Sequence, residues 1–299
     1  MNWNWKKFLY HEQKIGGLAV GEEEIALSFF AEGKNEPFFR KKIPLEPGII
    51  EGGVLKKPAE LREKLSLLGD GKPPSLSVIL SLPASAAQPF LYSFPPNLSE
   101  EEINEAFSLI VETSLPLLSQ DLYTDWEDIR DSGFNTRKKF LLVAGIKSLI
   151  DPYLEAVTAA HFAVVALETH GLSLARALDF KGKPALILNF EEKEIVWSGC
   201  VQGKLLFQYA EKPQVAEQSS PEDNKRRGSK KKFGVAEVQS LTQRILRFLA
   251  SDSDYELRVE NLIVWGGDDE IRNFKAGLPE EIGALIREGL YKDSSKSEI

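Results

Sequence analysis

Glycines and acidic side chains are concentrated in two short stretches of the sequence, and both residue types can take part in phosphate chemistry. The first stretch extends from Gly17 to Gly21 and continues into three consecutive glutamates at residues 22–24. The second begins at Asn189 and continues as Phe-Glu-Glu-Lys-Glu. Glycine lets backbone N–H groups approach a phosphate closely, and a carboxylate at a strand end can organise Mg²⁺ and its water. These stretches therefore raise the hypothesis of nucleotide chemistry.

Neither stretch carries a complete set of groups for that chemistry. Like charges about 4 Å apart in a partly desolvated site repel by a few kcal/mol, so residues 22–24 oppose a triphosphate unless cations bridge them. We interpret these glutamates as a solvated hairpin turn in preference to a metal site. Asn189 can donate a hydrogen bond, but its amide cannot be an anionic metal ligand or a general base. Gly266 and Gly267 follow an apolar run, where they could contact a base or form a helix-entry turn.

The composition argues against several classes of protein. The chain has 299 residues and a net charge of -8, which disfavours a nucleic-acid role because phosphate binding needs a basic face. A single cysteine, Cys200, excludes an intramolecular disulfide framework, and three scattered histidines argue against a His/Cys metal site. We see neither a signal peptide nor an apolar run near the roughly 20 residues of a membrane span, and therefore expect a cytoplasmic protein.

Apolar periodicity predicts alternating strands and helices in the first half of the chain. Ser99 and Glu102 have the spacing of a capping box, and Pro58 marks another helix start. A further helix is expected to begin at Asp151-Pro152, with proline in its first position. The predicted strands are residues 15–20, 25–30, 37–43, 76–82, 90–94, 140–146 and 162–167, and a short helix is predicted over 172–178.

The second half of the chain restarts this pattern, which indicates a duplicated architecture. The predicted strands are residues 185–190, 194–198, 204–209 and 262–265, and the predicted helices cover about 238–249 and 268–289, the latter broken at Pro279. Residues 211–234 are polar and rich in Ser, Lys and Glu, which is typical of a flexible loop.

The order of several stretches resembles the PilM family, the actin-like proteins of type IV pilus assembly. SVILSLPAS at residues 77–85 is similar to the family strand that ends in Leu-Pro, and VENLIVWGGDDEI at 259–271 is similar to its closing Gly-Gly motif. Further likenesses to the family are found at residues 43–65, 99–126 and 137–157, so that the resemblance covers about residues 12–290. No single motif is unique to the family, and it is their order that carries the resemblance.

The resemblance implies an α/β, two-lobed actin-like (RNase H-like) ATPase fold. It has an inserted small subdomain in lobe one, and residues 211–235 are too few for the usual insert in lobe two, so a reduced outer subdomain is expected there. The implied boundaries are an N-terminal extension at 1–11, a first-lobe core at 12–85 and 147–178, an inserted subdomain at 86–146, a second lobe at 179–290 with the loop 211–234, and a disordered tail at 291–299.

In this family, two hairpin turns hold the phosphates of a nucleotide. The positions that match are Gly17, Gly21, Asn189, Gly266 and Gly267, and we predict them as a degenerate form of the nucleotide site. Alanine at position 19 replaces the metal-organising aspartate of the first turn. The fold implies ATP and Mg²⁺ as cofactors, but the residues predict no catalytic and no metal-binding side chain, and hence a pseudo-ATPase.

The resemblance also implies a function in assembly. Relatives bind the cytoplasmic tail of a membrane protein, PilN, in a groove of the first lobe and its inserted subdomain, here residues 12–85 and 86–178. We expect a scaffold of a type IV pilus-like envelope machine, at the inner face of the cytoplasmic membrane through that partner. Two alternatives stay open. One is an active ATPase or phosphotransferase with Glu191 or Asp268 as its carboxylate, and the other is an FtsA-like filament protein on the membrane.

Two segments could contact a membrane or a second copy directly. Residues 225–232 are rich in Lys and Arg, and anionic lipid attracts such residues by about 1 kcal/mol each, but a solvated linker is the interpretation we favour. The first ten residues, MNWNWKKFLY, are aromatic and basic, and we favour packing on the fold over an interfacial anchor. Peripheral membrane contact and self-association both stay open.

Overall fold

Most of the strands predicted from apolar periodicity are present in the computed structural model of the chain. The described residues are 15–30, 37–68, 76–115, 118–129, 138–177, 183–190, 194–201, 203–211, 240–244, 247, 261–265, 268–276 and 286–288. The contacts within the chain divide it into two compact units. Unit 1 comprises Met1–Gln88, Asn97–Trp126 and Leu142–Ser173, and unit 2 comprises Pro89–Pro96, Glu127–Leu141 and Leu174–Ile299.

Strands and helices follow one another in an α/β order. The strands are β1 Gly16–Val20, β2 Glu24–Phe30, β3 Pro37–Pro44, β4 Ile50–Glu51, β5 Val54–Leu55, β6 Leu76–Leu82, β7 Ala87–Phe94, β8 Leu122–Asp128, β9 Lys138–Ile146, β10 Phe162–Thr169, β11 Ala185–Phe190, β12 Ile195–Val201, β13 Lys204–Glu211, β14 Asn261–Trp265 and β15 Ile286–Glu288. The helices are α1 Pro58–Leu68, α2 Glu100–Thr113, α3 Lys147–Ala159, α4 His170–Ala177 and α5 Asp268–Ala276.

The sheet of unit 1 has the strand order β10-β6-β1-β2-β3. The strands β1, β2 and β3 form an antiparallel meander, whereas β6 lies parallel to both β1 and β10. Leu18, Val20, Ile25 and Leu27 alternate with more accessible residues and are essentially buried, because side chains of a strand point to opposite faces with a period of two. The apolar face of this sheet is therefore the core of unit 1.

Two helices supply the other side of this core. Leu61, Leu65 and Leu68 of α1 are buried in the same apolar cluster as Ile150 and Tyr153 of α3. Their spacing of three and four residues places them on one helical face. Burial of a whole Leu or Ile side chain contributes about 1.5–3 kcal/mol, so this helical face fixes α1 and α3 on the sheet.

The predicted start of α3 at Asp151-Pro152 is wrong. The helix begins at Lys147, directly after β9, and Pro152 lies inside it. A proline at this position removes the N–H that would bond to residue 148, so the sequence rule places it in the first turn. Burial of Ile150, upstream of the proline, keeps the earlier residues helical in spite of the lost hydrogen bond.

A three-stranded sheet with the order β7-β9-β8 follows β6 in the chain, together with α2. The capping box predicted at Ser99 and Glu102 is confirmed, since each residue's side chain accepts a hydrogen bond from the backbone N–H of the other. Phe107 on α2 stacks on Trp126 of β8, with ring centroids 5.5 Å apart. This aromatic pair fixes the helix on the strand.

The sheet of unit 2 repeats the topology of the first, with the order β13-β12-β11-β14-β15. Again a three-stranded antiparallel meander continues into parallel strands. All residues of β11 and β12 are buried, so both faces of this sheet are covered. Gly199 is required here, because a Cβ at this position would lie 2.0 Å from the ring of Phe207.

The predicted helix over 268–289 is wrong in its second part. Helix α5 ends at Ala276, and Ile286–Glu288 forms the edge strand β15, which pairs with β14 in parallel. Pairing with a buried strand overrides a helical preference in so short a segment. The predicted loop 211–234, except Glu211 at the end of β13, and both predicted terminal extensions lie outside the described residues.

Candidate functional site

The glycine-containing stretch predicted as the first phosphate turn forms β1 and the turn to β2. Leu18 and Val20 face the core, so Gly17 and Ala19 lie on the opposite face of the sheet. A Cβ added at Gly17 would meet nothing within 4 Å, whereas one at Gly21 would lie 3.4 Å from the carbonyl oxygen of Glu24. The backbone is therefore accessible at Gly17, and Gly21 belongs to a tight turn.

Ala19 shares a row of the sheet with two polar residues. It pairs with Ser81 on β6, which in turn pairs with Glu168 on β10. These positions are at the carboxyl ends of three parallel strands, and ligands of open α/β sheets bind at such ends. Glu168 is not among the predicted site residues, although an acidic residue at the carboxyl end of a strand and just before a helix is a signal that could have found it.

Hydrogen bonds join Glu168 to the first turns of α4. Ser173 Oγ lies 2.6 Å from Glu168 Oε1, to which it donates, and 2.8 Å from Ser81 Oγ. Ser81 is buried, at 7% exposed, whereas Ser173 and Glu168 are half-buried, so these polar groups extend from the interior towards the surface. Burying hydroxyls is tolerable because they bond to one another and to the carboxylate.

The turn between β1 and β2 differs from the solvated turn that we predicted. Glu23 and Glu24 are exposed, in agreement with the prediction, but Glu22 is partly buried. The Gly53 N–H donates to Glu22 Oε1 at 3.0 Å. The prediction failed at Glu22 because its partner is 31 residues away in the sequence and belongs to the β4–β5 hairpin.

These two carboxylates do not fit a magnesium site in their present positions. Glu22 Oε1 and Glu168 Oε1 each accept a hydrogen bond from the protein, and position 19 carries a methyl group. Mg²⁺ requires nearly octahedral oxygen ligands and keeps several waters, and hydrogen bonds within the chain already orient both of these carboxylates. Within the described ranges, no group of three or more His, Cys, Asp or Glu side chains is arranged to hold a metal ion.

Asn189, the residue predicted for the second turn, lies on β11 of unit 2. It pairs with Val196 on β12 and with Trp265 on β14, and it is 9% exposed. The predicted residues Gly266 and Gly267 and the candidate carboxylate Glu191 lie outside the described residues. Asp268 is the first residue of α5.

A polar cluster joins β8 and the segment before it to α3. The Tyr123 hydroxyl donates to Asp151 Oδ1 at 2.9 Å, and this bond to a carboxylate raises the pKa of Tyr123. Lys147 donates to the carbonyl of Gln120 at 2.7 Å, and its ammonium lies 5.2 Å from the centre of the Tyr123 ring. The cluster ties β8 to α3 within unit 1.

The two sheets, each an antiparallel meander continued by parallel strands, define the actin-like ATPase fold. Over 92% of this chain and 88% of the other, the structure is similar to a chain of the PilM–PilN type IV pilus biogenesis complex, with a TM-score of 0.70 and 17% identity. No family model and no curated protein matches the sequence.

Two further solved structures share this fold. One is a Bacteroides thetaiotaomicron protein of unknown function with an actin-like ATPase fold, at a TM-score of 0.51 and 10% identity over 96% of this chain and 94% of that one. The other is the ethanolamine utilization protein EutJ from Carboxydothermus hydrogenoformans, at 0.50 and 9% identity over 91% and 83%. Among the described helices, none is both long and apolar enough to cross a membrane.

Proposed function

We propose that this chain is an assembly protein of a type IV pilus-like envelope machine and binds the cytoplasmic tail of a PilN-like membrane protein. The observation that carries the proposal is the likeness to a chain of the PilM–PilN complex, which extends over 92% of this chain and 88% of the other. The chain would then reside in the cytoplasm, at the inner face of the membrane through its partner.

Exposed apolar side chains near the inserted strand support a peptide-binding role. Leu109 is 60% exposed, Leu118 65% and Tyr123 43%, and all three lie on α2, β8 or the segment between them. Contiguous exposed apolar groups mark interaction sites. An apolar tail that covers one such side chain would gain about 1.5–3 kcal/mol, so a few contacts suffice for micromolar affinity.

The test is a titration of the purified chain with a synthetic peptide of the PilN-like tail from the same organism, followed by fluorescence anisotropy. Replacement of Leu118 or Tyr123 (Leu118→Ser, Tyr123→Ala) should weaken binding about tenfold each. The control is Tyr209→Ser in unit 2, which removes a side chain that is 57% exposed and should leave affinity unchanged. Equal affinity in all variants would overturn the placement of the tail, and no binding by the natural chain would overturn the proposal.

We further propose that the chain does not hydrolyse ATP. Ala19 supplies no metal ligand, and the nearby carboxylates of Glu22 and Glu168 are hydrogen-bonded within the chain. Calorimetric titration with Mg–ATP should therefore give no heat, and ATP should not raise the melting temperature. Micromolar binding would contradict the first expectation, and steady phosphate release would contradict the proposal itself.

A second candidate function, an active ATPase or phosphotransferase, is favoured by one observation. Glu168 stands at the carboxyl end of β10, in the row of Ala19, where a carboxylate could act as a general base. If this candidate is correct, Glu168→Gln should abolish phosphate release while ATP still binds. Loss of release with Glu23→Gln, an exposed glutamate of the same unit, would point to a general electrostatic effect instead.

A further inference from the structure

The turn between β1 and β2 contains a carboxylate that is used inside the protein. Glu22 is partly buried, and its Oε1 accepts the Gly53 N–H at 3.0 Å. The neighbouring Glu23 and Glu24 are exposed, and Glu24 forms an ion pair with Lys42. A hydrogen bond from a backbone N–H to a carboxylate is about twice as strong as one between neutral groups. Glu22 therefore connects the first turn to the β4–β5 hairpin.

The backbone conformation, the close neighbours and the hydrogen bonds of Gly53 all restrict its position. Its φ is +73°, a conformation that favours glycine, and Gly52 before it has a φ of 57°. A Cβ at Gly53 would lie 1.8 Å from Ser85 Oγ and 3.3 Å from Cβ of Pro83. The Gly53 carbonyl accepts a hydrogen bond from the Tyr153 hydroxyl at 3.0 Å, and the Gly53 N–H donates to Glu22. The peptide groups on both sides of Gly53 are thus held by hydrogen bonds, and the N–H of the first one is directed at Glu22.

Two hydroxyl groups around Gly53, those of Ser85 and Tyr153, are compatible with a bound anion. The Ser85 hydroxyl oxygen is buried and, within the described part of the chain, has no hydrogen-bond partner, so its proton is available as a second donor. Tyr153 is fully buried, and burial first and the negative charge of Glu22 second raise its pKa above the ordinary value. The hydroxyl of Tyr153 is therefore neutral at physiological pH, and it adds no charge that would repel an anion.

We propose that the Gly53 N–H and the neighbouring Ser85 hydroxyl form a binding site for a small oxyanion, and that the carboxylate of Glu22 occupies the Gly53 donor of this site as a resident anion. A free carboxylate or phosphate can reach the Gly53 donor only if Glu22 leaves, and the charge of Glu22 repels it in the meantime. The first turn is in this way closed to anions by the chain itself. The inference is independent of tail binding, because all of its residues belong to the β1–β2 turn, the β4–β5 hairpin, the segment after β6, and α3.

The experiment is chemical rescue of the full chain with Glu22→Ala. The probes are sodium formate and inorganic phosphate at about 100 mM, a concentration at which even weak millimolar binding stabilises measurably. Sodium chloride at equal ionic strength is the salt control, and Glu23→Ala is the matched variant. The readouts are the melting temperature and the amide exchange rate of the segment that contains Gly53.

Glu22→Ala should melt at a lower temperature than the natural chain, and its Gly53 segment should exchange about tenfold faster, the factor expected for one charge-assisted hydrogen bond. Formate should restore at least half of the lost melting temperature, whereas the natural chain and Glu23→Ala should respond to formate only as they do to chloride. Rescue by phosphate as well would extend the site to phosphate esters. Equal effects of formate and chloride on Glu22→Ala would overturn the proposal.

A second variant keeps the proposal testable if Glu22→Ala does not fold. Glu22→Gln retains an acceptor oxygen and the shape of the side chain but lacks the charge, so it should fold. Its Gly53 segment should exchange about threefold faster than in the natural chain, because a neutral acceptor forms the weaker bond. Formate should not rescue it, since the amide still fills the site. An exchange rate equal to that of the natural chain would show that the charge of Glu22 has no part in holding Gly53.

Discussion

At the scale of single residues, two glycines of unit 1 differ in the room that surrounds them. Gly53→Ala should destabilise the fold by about 3 kcal/mol, because the new methyl group meets Ser85 Oγ at 1.8 Å in a left-handed backbone conformation. Gly17→Ala should be neutral or stabilising by up to about 1 kcal/mol, because open space surrounds its Cβ and alanine lowers the entropy of the unfolded chain. Urea unfolding of both variants measures the difference.

The double variant Gly53→Ala/Ser85→Ala separates the two reasons why Gly53→Ala is destabilising, the clash with Ser85 and the strain of the left-handed backbone. Removal of the Ser85 hydroxyl relieves the clash but leaves the backbone strain at a φ of +73°. We therefore expect the double variant to recover part of the lost stability and to show a coupling energy of about 1 kcal/mol. Additive effects of the two changes would contradict the described packing of Ser85 against Gly53.

Tyr153 provides a second residue-scale prediction. Tyr153→Phe removes the hydroxyl that donates to the Gly53 carbonyl and leaves that acceptor without its partner, which should cost about 1–3 kcal/mol. The matched control is Tyr123→Phe, which removes an exposed hydroxyl bonded to Asp151 and should cost less than about 0.5 kcal/mol. Urea midpoints at equal m-values decide between the two outcomes, and equal losses would contradict the buried role of Tyr153.

Residue chemistry near the candidate site was only partly predictable from the sequence. The absence of a carboxylate at position 19 and the exposure of Glu23 follow from local patterns. The role of Glu22 does not, since its partner Gly53 is 31 residues away and Tyr153, on the other side of Gly53, is 100 residues from it. Glu168 was missed for a similar reason, because its relation to Ala19 exists only through the strand pairing with β6.

At the scale of elements, the first turn of α2 depends on its capping box. Ser99→Ala should destabilise the chain by about 1 kcal/mol, because the Glu102 N–H loses its acceptor at the helix start. Ser108→Ala in the same helix is the control. Its hydroxyl donates to the carbonyl of Asn104 one turn earlier, so its removal should leave stability within about 0.5 kcal/mol. Equal losses on thermal unfolding would contradict the role of the cap.

The connection from α3 to β10 contains His161, a residue other than glycine with a positive φ, of 67°. Its N–H bonds to the carbonyl of Thr158 at 2.9 Å, as is typical of a helix end where glycine is preferred. His161→Gly should therefore stabilise the chain by about 0.5–1 kcal/mol, and His161→Val should destabilise it by more than that. The urea midpoints of both variants give the sign of each change in stability. A lower midpoint for His161→Gly would mean that packing of the imidazole stabilises the fold.

Elements were easier to predict than residue roles, and the failures have physical causes. Period-two alternation identified β1 to β3, and the Ser99–Glu102 spacing identified the start of α2, since both signals are local. The start of α3 was wrong because burial of Ile150 outweighs the proline signal. Strand β15 was missed because three residues with no strong alternation become a strand only through pairing with β14.

At the scale of the whole molecule, the same five-stranded sheet topology occurs twice. The repeated strand pattern of the sequence predicted this duplication. The sequence could not show how deeply each sheet is buried. The meander of unit 1 has accessible residues on one face, whereas β11 and β12 are buried on both. An antiparallel sheet with one accessible face can present the side chains of that face to a ligand, whereas a sheet that is buried on both faces forms part of the core.

Cys200 reports on the opening of that buried sheet, because it is the only cysteine of the chain and lies fully buried on β12. Burial raises the pKa of the Cys200 thiol from 9.0 to about 12. At pH 8 the native thiol should therefore react with an aromatic disulfide reagent at least about a hundredfold more slowly than in urea, since only the thiolate attacks. Fast labelling of the folded chain would contradict this burial.

The same shift fixes the sign of a pH dependence. The thiol of the unfolded chain ionises near pH 9, and that of the folded chain near 12, so the stability due to the neutral buried thiol is complete below pH 9 and is lost as pH rises towards 12. Cys200→Ala removes this contribution to stability. Between pH 9 and 10.5 the natural chain should lose about 1–2 kcal/mol more of its free energy of unfolding than Cys200→Ala does. Parallel pH profiles of urea unfolding in the two proteins would show that the thiol is not buried in the folded state.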